Sequence, residues 1–194
     1  MNTAPRGQEH YSVEDYLGNE QRADSKHEYL AGRIFAMTGA SDRHGLIAGA
    51  LFAWLLPHAR RKGCQLFIAD IKVRIDHEGD SWFYYPDLLL SCDSADRDSP
   101  YYRRAPCLLV EVLSPSTESI DTREKLIAYR LLPSLREYLV LRQDRPQADL
   151  YQRTGAGHWK HSCVTLPDEP LPLACLDAQP SLRDIYAGLP ELLG

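Results

Sequence analysis

The sequence predicts a mixed α/β or α+β domain in which one mixed central β-sheet is flanked by helices. Its 194 residues are enough for a single domain that buries roughly 70% of its unfolded surface. Apolar residues make up 44% of the chain and charged residues 25%, which are ordinary values for a globular protein. Short apolar runs bounded by turn residues are combined with two segments of helical periodicity. The order is a helix, several strands, a second helix and further strands, which favours this class.

The first half of the chain contains a predicted hairpin, a long helix and a strand. HEYLAGRIFAM is typical of two short strands joined at residues 31–32. SDRHGLIAGALFAWLLPHARR has the apolar spacing of a helix, with Ser41 or Asp42 as its N-cap. Pro57 falls near the expected end of this helix, where the chain turns. QLFIADIKVRID alternates apolar and polar residues over 67–75, which predicts one strand.

The second half adds strands around another helix. After a turn at HEGDS, WFYYPDLLLSC is predicted as a strand entered through Pro86, because proline suits the first residues of a strand. CLLVEVL is the next strand, and a helix over about 121–132 follows it, with Asp121 as its cap. REYLVLRQ, ADLYQR and HWKHSCVTL are further strands, and QPSLRDIYAGLPELLG suggests a short helix. We expect one domain over 1–194, with a core of about 26–155 on which the C-terminal strands and short helix pack.

Composition indicates the expected location of the protein, the redox state of its cysteines and the partners that it does not suit. The segment MNTAPRGQEHYSVEDYLG has no apolar core and no stretch approaches the ~20 apolar residues of a membrane span, so we expect a cytoplasmic protein without a membrane partner. Five cysteines without CxxC spacing are expected to be reduced, with Cys92 and Cys107 as small buried apolar residues. The net charge of -5 argues against non-specific coating of nucleic acid. The basic clusters at 60–62 and 103–104 are interpreted as solvated loops or helix ends.

Two predicted strands, YYPDLLLSC and CLLVEVL, each place a carboxylate in an apolar run, Asp87 and Glu111. An unpaired ionised carboxylate costs several kcal/mol to desolvate, and two neighbouring ones raise each other's pKa. A divalent cation between them removes both penalties, and Mg²⁺ and Mn²⁺ prefer carboxylate oxygens. The alternatives are a solvent-facing strand start for Asp87 and a salt bridge to Arg or Lys for Glu111.

Lys125 lies in DTREKLIAYR, one turn after Asp121 and one turn before Tyr129. The spacing allows an ion pair with Asp121, worth about 0.3–0.5 kcal/mol. It equally allows an ammonium that reaches a metal site and holds the attacking water or offsets phosphate charge. The SPST sequence before the helix lacks a G-x-S-x-G elbow, so a serine hydrolase is not predicted.

YYPD, LLVEVLSPST and DTREKLIAYRLLPSLREYLVL, preceded by EYLAGRIFAMTGASDRH, together resemble the Uma-type endonuclease family of bacteria. That family belongs to the PD-(D/E)XK, or restriction-endonuclease-like, nuclease superfamily, and the likeness covers about 28–141. It implies a mixed central sheet with Asp87 and Glu111 as metal ligands at the ends of adjacent strands. The lysine that the superfamily has two residues after the second acid is replaced by Leu113, and the resemblance assigns its role to Lys125.

Other residues are secondary candidates. Glu28 aligns with an acidic position of the family and either reaches the metal or is an exposed strand-edge carboxylate. His44 is interpreted as a capping or packing residue, with a contact to water or phosphate as the alternative. Asp70 is interpreted mainly as a cross-strand ion pair, with a supporting contact at the metal site as the alternative. Asp121 and Tyr129 complete the secondary set.

The leading hypothesis is a Mg²⁺- or Mn²⁺-dependent endonuclease that hydrolyses DNA. The second is a nuclease-fold protein that binds nucleic acid or a protein partner with little turnover, which the missing strand lysine and the acidic net charge favour. A homodimeric structural protein is the third. DNA is favoured over RNA, and a homodimer is expected because cutting both strands of a duplex calls for two active sites.

Overall fold

A computed structural model describes residues 10–37, 39–113, 121–155 and 157–194. The described residues form a mixed α+β domain, as the sequence predicts. The helices are α1 Val13–Glu20, α2 Asp42–Arg61, α3 Asp121–Arg130 and α4 Leu182–Ile185, followed by a 3₁₀ turn at Pro190–Leu192. The strands are β1 His27–Leu30, β2 Arg33–Ala36, β3 Gln65–Ile68, β4 Lys72–His77, β5 Asp80–Tyr84, β6 Leu88–Ser91, β7 Tyr102–Arg103, β8 Leu108–Leu113, β9 Glu137–Arg142, β10 Ala148–Arg153 and β11 Trp159–Val164. No helix in these ranges is long and apolar enough to cross a bilayer.

Within the described ranges the strands form two mixed sheets, whereas one was expected. The first has five strands in the order β2-β1-β5-β4-β7, and the second has six in the order β11-β10-β9-β8-β6-β3. Pairing is antiparallel except for the parallel pairs β4–β7 and β8–β9. The chain crosses between the sheets inside two segments that were each predicted as one strand.

The two crossings lie side by side. QLFIADIKVRID is interrupted at 69–71, between β3 of the six-stranded sheet and β4 of the five-stranded sheet, and Ala69 takes a left-handed φ of 59° that ends the strand. WFYYPDLLLSC is interrupted at 85–87, between β5 and β6. The Ala69 N–H donates to the carbonyl of Asp87 at 2.9 Å, which ties one crossing to the other. Asp87 therefore lies at the passage between the sheets rather than inside a strand.

The central strands β6 and β8 of the six-stranded sheet are buried on both faces, as their continuous apolar runs indicate. Leu88, Leu108 and Val110 pack with α2 and the C-terminal segment on one face. Leu89 and Leu109, whose side chains alternate with those, pack with β4, β5 and α3 on the other. Glu111 follows Leu109 on that second face, so its carboxylate is directed towards α3 and the five-stranded sheet.

Helix α2 begins where the sequence predicts and ends later. The Ser41 side chain accepts from the N–H of His44 at 3.2 Å and caps the helix. Pro57 lies inside the helix, which continues to Arg61, so the expected turn at the proline is wrong. The missing proline N–H costs one helical hydrogen bond. The fully buried Leu55 and Ala59 on either side keep the helix packed on the sheet.

The prediction of reduced, unpaired cysteines is wrong. Cys64 at the end of α2 is bonded to Cys92 after β6, and Cys107 before β8 is bonded to Cys175 in the C-terminal segment. Among the described residues Cys163 is the free cysteine, and it is exposed. The pairs are 28 and 68 residues apart in sequence, so only the tertiary fold brings them together.

The Cys175→Ser variant is expected to lower the free energy of unfolding by about 2–4 kcal/mol, because the Cys107–Cys175 bond constrains a long loop in the unfolded chain. The variant still folds, since the N–H of Cys175 donates to the Glu137 carboxylate at 2.9 Å. Urea unfolding with and without dithiothreitol measures the loss, and Cys163→Ser is the control. Equal unfolding midpoints for oxidised wild type and Cys175→Ser would contradict the assignment of this disulfide.

The basic cluster at 103–104 is solvated as expected at Arg104 but not at Arg103. Arg103 is buried, donates to the carbonyl of Ser99 at 2.6 Å and to the side chain of Gln65 at 3.2 Å, and lies over the Phe67 ring. Its guanidinium therefore joins β7 to the start of β3 instead of facing solvent. The cluster at 60–62 does form the end of α2, as predicted.

Candidate active site

Three carboxylates and one amine converge where the two sheets meet α3. Glu28 comes from β1, Asp87 from the crossing before β6, Glu111 from β8 and Lys125 from α3. The Lys125 Nζ lies 3.1 Å from Glu28 Oε1 and 3.2 Å from Glu111 Oε1. The amine therefore joins an acid of the five-stranded sheet to an acid of the six-stranded sheet.

Glu111 is the most buried acid of this cluster. The Tyr129 hydroxyl donates to its Oε1 at 2.8 Å, and the Lys125 amine contacts the same oxygen. Burial raises the pKa of Glu111, the Lys125 ammonium and the Tyr129 hydrogen bond lower it, and the nearby charges of Asp87 and Glu28 raise it, so that the net pKa is about 7. The site therefore holds a carboxyl group that is costly to ionise without a cation.

Asp87 is held by its backbone surroundings and by a histidine. Its Oδ2 accepts from the N–H of Val112 at 2.7 Å and lies 3.1 Å from His44 Nε2. The hydrogen bond to Asp87 raises the pKa of His44, although burial opposes this. The preferred interpretation of His44 as a capping or packing residue is thus corrected, because its ring is a partner of Asp87.

Glu28 is not the exposed edge carboxylate that remained an alternative. Its side chain is only 17% exposed, and its Oε1 accepts from the N–H of Tyr85 at 3.3 Å as well as from Lys125. This contact links β1 to the 85–87 crossing that carries Asp87.

Each of the three acids uses a single oxygen in these contacts. In these contacts Glu28 accepts with Oε1, Asp87 with Oδ2 and Glu111 with Oε1. Hard carboxylate oxygen of this kind suits Mg²⁺ or Mn²⁺. In the described part of the chain no three acidic, histidine or cysteine side chains lie close enough together to bind one ion. The donor set therefore suits a cation held by two carboxylates and completed by water or phosphate, as is usual for Mg²⁺.

The secondary candidate residues Asp70, Tyr129 and Asp121 differ in their position relative to the acid cluster. Asp70 is 78% exposed and forms an ion pair as expected, with Lys26 at 2.6 Å, but neither residue lies in a strand, so the pair is not a cross-strand one. Tyr129 is fully buried against Glu111. The side chain of Asp121 and the SPST residues fall outside the described part of the chain.

A polar network that sequence reasoning missed supports the crossing at 85–87. The Tyr85 hydroxyl donates to Glu20 of α1 at 2.8 Å and accepts from the buried Lys72 amine at 3.0 Å. Burial and Glu20 raise the pKa of Tyr85, whereas burial lowers that of Lys72. The only local signal is the position of Tyr85 directly before Pro-Asp, because Glu20 and Lys72 approach it through the fold.

The acids line a cleft of about 1040 Å³. Its lining comes from the β1–β2 hairpin, the start of α2, the end of β3 and Lys125 of α3. The cleft joins the acid cluster to a set of apolar side chains: Leu30, Phe35, Ala36, Met37, Ala48 and Ile68.

Mixed sheets that bring Asp87, the strand acid Glu111 and the helix lysine Lys125 to one cleft are typical of the class of restriction-endonuclease-like nuclease folds. The chain belongs to the Uma2 family, whose model is described as "Putative restriction endonuclease" and matches residues 13–183. It is 37% identical over 148 residues to "Uncharacterized protein slr1290" of Synechocystis sp., covering 76% of this chain and 77% of that protein. It is 31% identical over 147 residues to "Uncharacterized protein sll1609" of the same organism, covering 75% and 82%.

A solved structure has the same fold. It is titled as the crystal structure of "a putative nuclease belonging to DUF820" from Anabaena variabilis. The superposition has a TM-score of 0.73 and covers 91% of this chain and 98% of that one, at 16% identity. At this identity the likeness establishes the fold, and the chemistry of the site has to be argued from the residues.

Proposed function

We propose that this protein is a Mg²⁺- or Mn²⁺-dependent nuclease that hydrolyses phosphodiester bonds of DNA. The observation that carries the proposal is the convergence of Asp87, Glu111 and Lys125 in one cleft, with the amine 3.2 Å from Glu111. Asp87 and Glu111 would hold the ion. A bound divalent cation supplies Lewis-acid charge and a water of lowered pKa.

Lys125 acts in this proposal as a fixed positive charge. Burial lowers the pKa of its ammonium, but Glu111 and Glu28 outweigh burial and raise the pKa above its ordinary value. The amine therefore stays protonated at neutral pH and is unsuited to remove a proton from water. It suits the stabilisation of charge that develops on the phosphate, in the role that the superfamily's strand lysine has.

Tyr129 and His44 position the acids. Tyr129 and Lys125 both donate to Oε1 of Glu111, which fixes the direction of its second oxygen. His44 and the N–H of Val112 do the same for Asp87 through Oδ2. Ligands held in this way lose little freedom when an ion binds.

A protein that binds nucleic acid with little turnover is the second candidate. The observation in its favour is that the Lys125 ammonium contacts both Glu28 and Glu111 and offsets part of their charge without a metal ion. In that case the ion pairs serve the packing of the two sheets, and the fold binds its partner without cleaving it.

A metal titration combined with a cleavage assay separates the two candidates. Calorimetry with Mn²⁺ is expected to show a site on the wild-type chain, and supercoiled plasmid is expected to be nicked or linearised with Mn²⁺ or Mg²⁺ but not with EDTA. Ion binding without cleavage would contradict the first candidate. Absence of both would contradict a metal-dependent nuclease and support the second candidate, in which Lys125 offsets the acids without an ion.

Three further expectations stay predictions within this proposal. DNA is expected to be cut in preference to RNA. The chain is expected to form homodimers if duplexes are cut on both strands, which sedimentation analysis measures. A cytoplasmic location is the third.

A further inference from the structure

Exposed apolar side chains flank the acid cluster on both sides of the cleft. Phe35 is the cross-strand partner of Glu28 in the β1–β2 hairpin, so the two side chains lie next to each other on one face. Ile68 pairs with Leu88, the residue after Asp87. Phe35 is 48% exposed and Ile68 is 37% exposed, and both line the cleft.

The charged lining of the same cleft is acidic in balance. The charged residues of the lining are Lys26, Glu28, Asp87, Glu111, Glu124 and Lys125. Both lysines contact acids: Lys26 lies 2.6 Å from Asp70, and Lys125 bridges two carboxylates. A duplex is held mainly by many Lys and Arg contacts to phosphate, and the described walls of this cleft do not provide such a track.

We infer that the cleft binds nucleic acid with unstacked bases, either a single strand or an unpaired segment, and that one base lies against Phe35. This inference specifies the substrate of the proposed nuclease function and rests on that function. An aromatic side chain stacks on the exposed face of any base, and this contact contributes to single-strand binding in addition to contacts with the phosphates. In an intact duplex the bases are stacked inside, so an apolar wall meets only phosphates and groove edges.

The size of the cleft agrees with this substrate class. About 1040 Å³ is at the upper end of the range for pockets that enclose a single small-molecule ligand, which corresponds to one or two nucleotides. The scissile phosphate would lie at the acids, and the neighbouring base would lie along the hairpin wall that Phe35 forms. Cutting a single strand takes one active site, so this inference removes the reason to expect a homodimer.

Binding measurements test the inference directly. Fluorescence anisotropy is measured for a labelled 20-nucleotide single strand and for the same sequence as a blunt duplex, with Ca²⁺ in place of Mn²⁺ so that the strands stay intact. We expect the single strand to bind at least about tenfold more tightly than the duplex. Equal or tighter binding of the duplex would overturn the inference.

A series of substitutions at Phe35 tests whether its ring contacts the base. Phe35→Ala is expected to weaken single-strand binding about tenfold, whereas Phe35→Trp preserves it, because stacking needs an aromatic face. Leu166→Ala is the matched control, since Leu166 is 64% exposed but does not line the cleft. Circular dichroism checks that each variant is folded. Phe35→Ala binding at the wild-type level would overturn the role of this wall.

Hydrolysis of a small phosphodiester tests the proposed function independently of this inference. Mn²⁺-dependent hydrolysis of bis(p-nitrophenyl) phosphate by the wild-type protein reports the chemistry without a base to stack. Hydrolysis of this ester combined with no preference for single strands overturns the inference alone. A preference for single strands combined with no hydrolysis of any ester supports the binding inference and contradicts the nuclease proposal.

Discussion

Asp87→Asn and Glu111→Gln are each expected to lower the rate of Mn²⁺-dependent DNA cleavage by about 100- to 1000-fold. Both substitutions keep the size and shape of the side chain and remove its negative charge. The second oxygen of each carboxylate then becomes a weaker ligand or an amide nitrogen that binds no cation. Initial rates on a labelled oligonucleotide measure the effect, and calorimetry with Mn²⁺ measures the accompanying loss of ion binding.

Asp70→Asn is the matched control for these variants. Asp70 is also an aspartate in a crossing between the sheets, but it is 78% exposed and contacts Lys26 rather than the cluster. Its cleavage rate is expected to equal that of the wild type. Wild-type rates and ion affinities in both Asp87→Asn and Glu111→Gln would show that these acids do not hold the ion.

Glu111→Gln also changes the pH dependence of stability. The folded protein has a Glu111 pKa of about 7 against an ordinary value of 4.5, so the folded state binds the proton more tightly than the unfolded state. The metal-free protein therefore loses roughly 3 kcal/mol of stability as the pH rises from 4.5 through 7. Urea unfolding in EDTA at pH 5 and pH 8 should show this loss in the wild type and a smaller one in Glu111→Gln.

Lys125→Met is expected to lower the free energy of unfolding by about 3–5 kcal/mol at pH 8. Methionine occupies a similar volume but leaves Glu28 and Glu111 buried and close together without a cation. Urea unfolding in EDTA measures the loss. The double variant Lys125→Met/Glu111→Gln should recover a large part of it, because one of the two uncompensated charges is then absent.

Lys26→Met separates a buried amine from an exposed one. Lys26 also pairs with a carboxylate, but its side chain is 42% exposed, so the expected loss is within about 1 kcal/mol. If Lys125→Met and Lys26→Met unfold at the same urea concentration, Lys125 is not the charge that compensates the buried acids.

The acids could be recognised from the sequence because a carboxylate inside LLVEVL is costly unless it has a partner. Lys125 required the resemblance, since its helical spacing fits an ordinary ion pair equally well. Helix α1 was not predicted, although Ser12 followed by Asp15 is a usable signal for its start. The Ser12 side chain accepts from the Asp15 N–H and caps the helix.

The sheet crossing at 69–71, the disulfide pairs and the partners of Tyr85 could not be predicted from the nearby sequence. The alternating pattern of 67–75 continues across the 69–71 interruption, because β3 carries half-buried apolar residues and β4 carries buried ones, although the two strands belong to different sheets. Hydrophobic pattern reports burial and does not report which sheet a strand joins. The partners of the disulfides and of Tyr85 are distant in sequence, so only the folded chain reveals them.

The adjacent crossings at 69–71 and 85–87 have a mechanical consequence. They connect the two sheets beside the acid cluster, with Glu28 in the five-stranded sheet and Glu111 in the six-stranded sheet. Rocking one sheet against the other would stretch or compress the gap that the Lys125 amine spans. Substitutions at the far edge of the five-stranded sheet, well away from the acid cluster, would thus change the distance between Glu28 and Lys125 by shifting the sheet that carries Glu28.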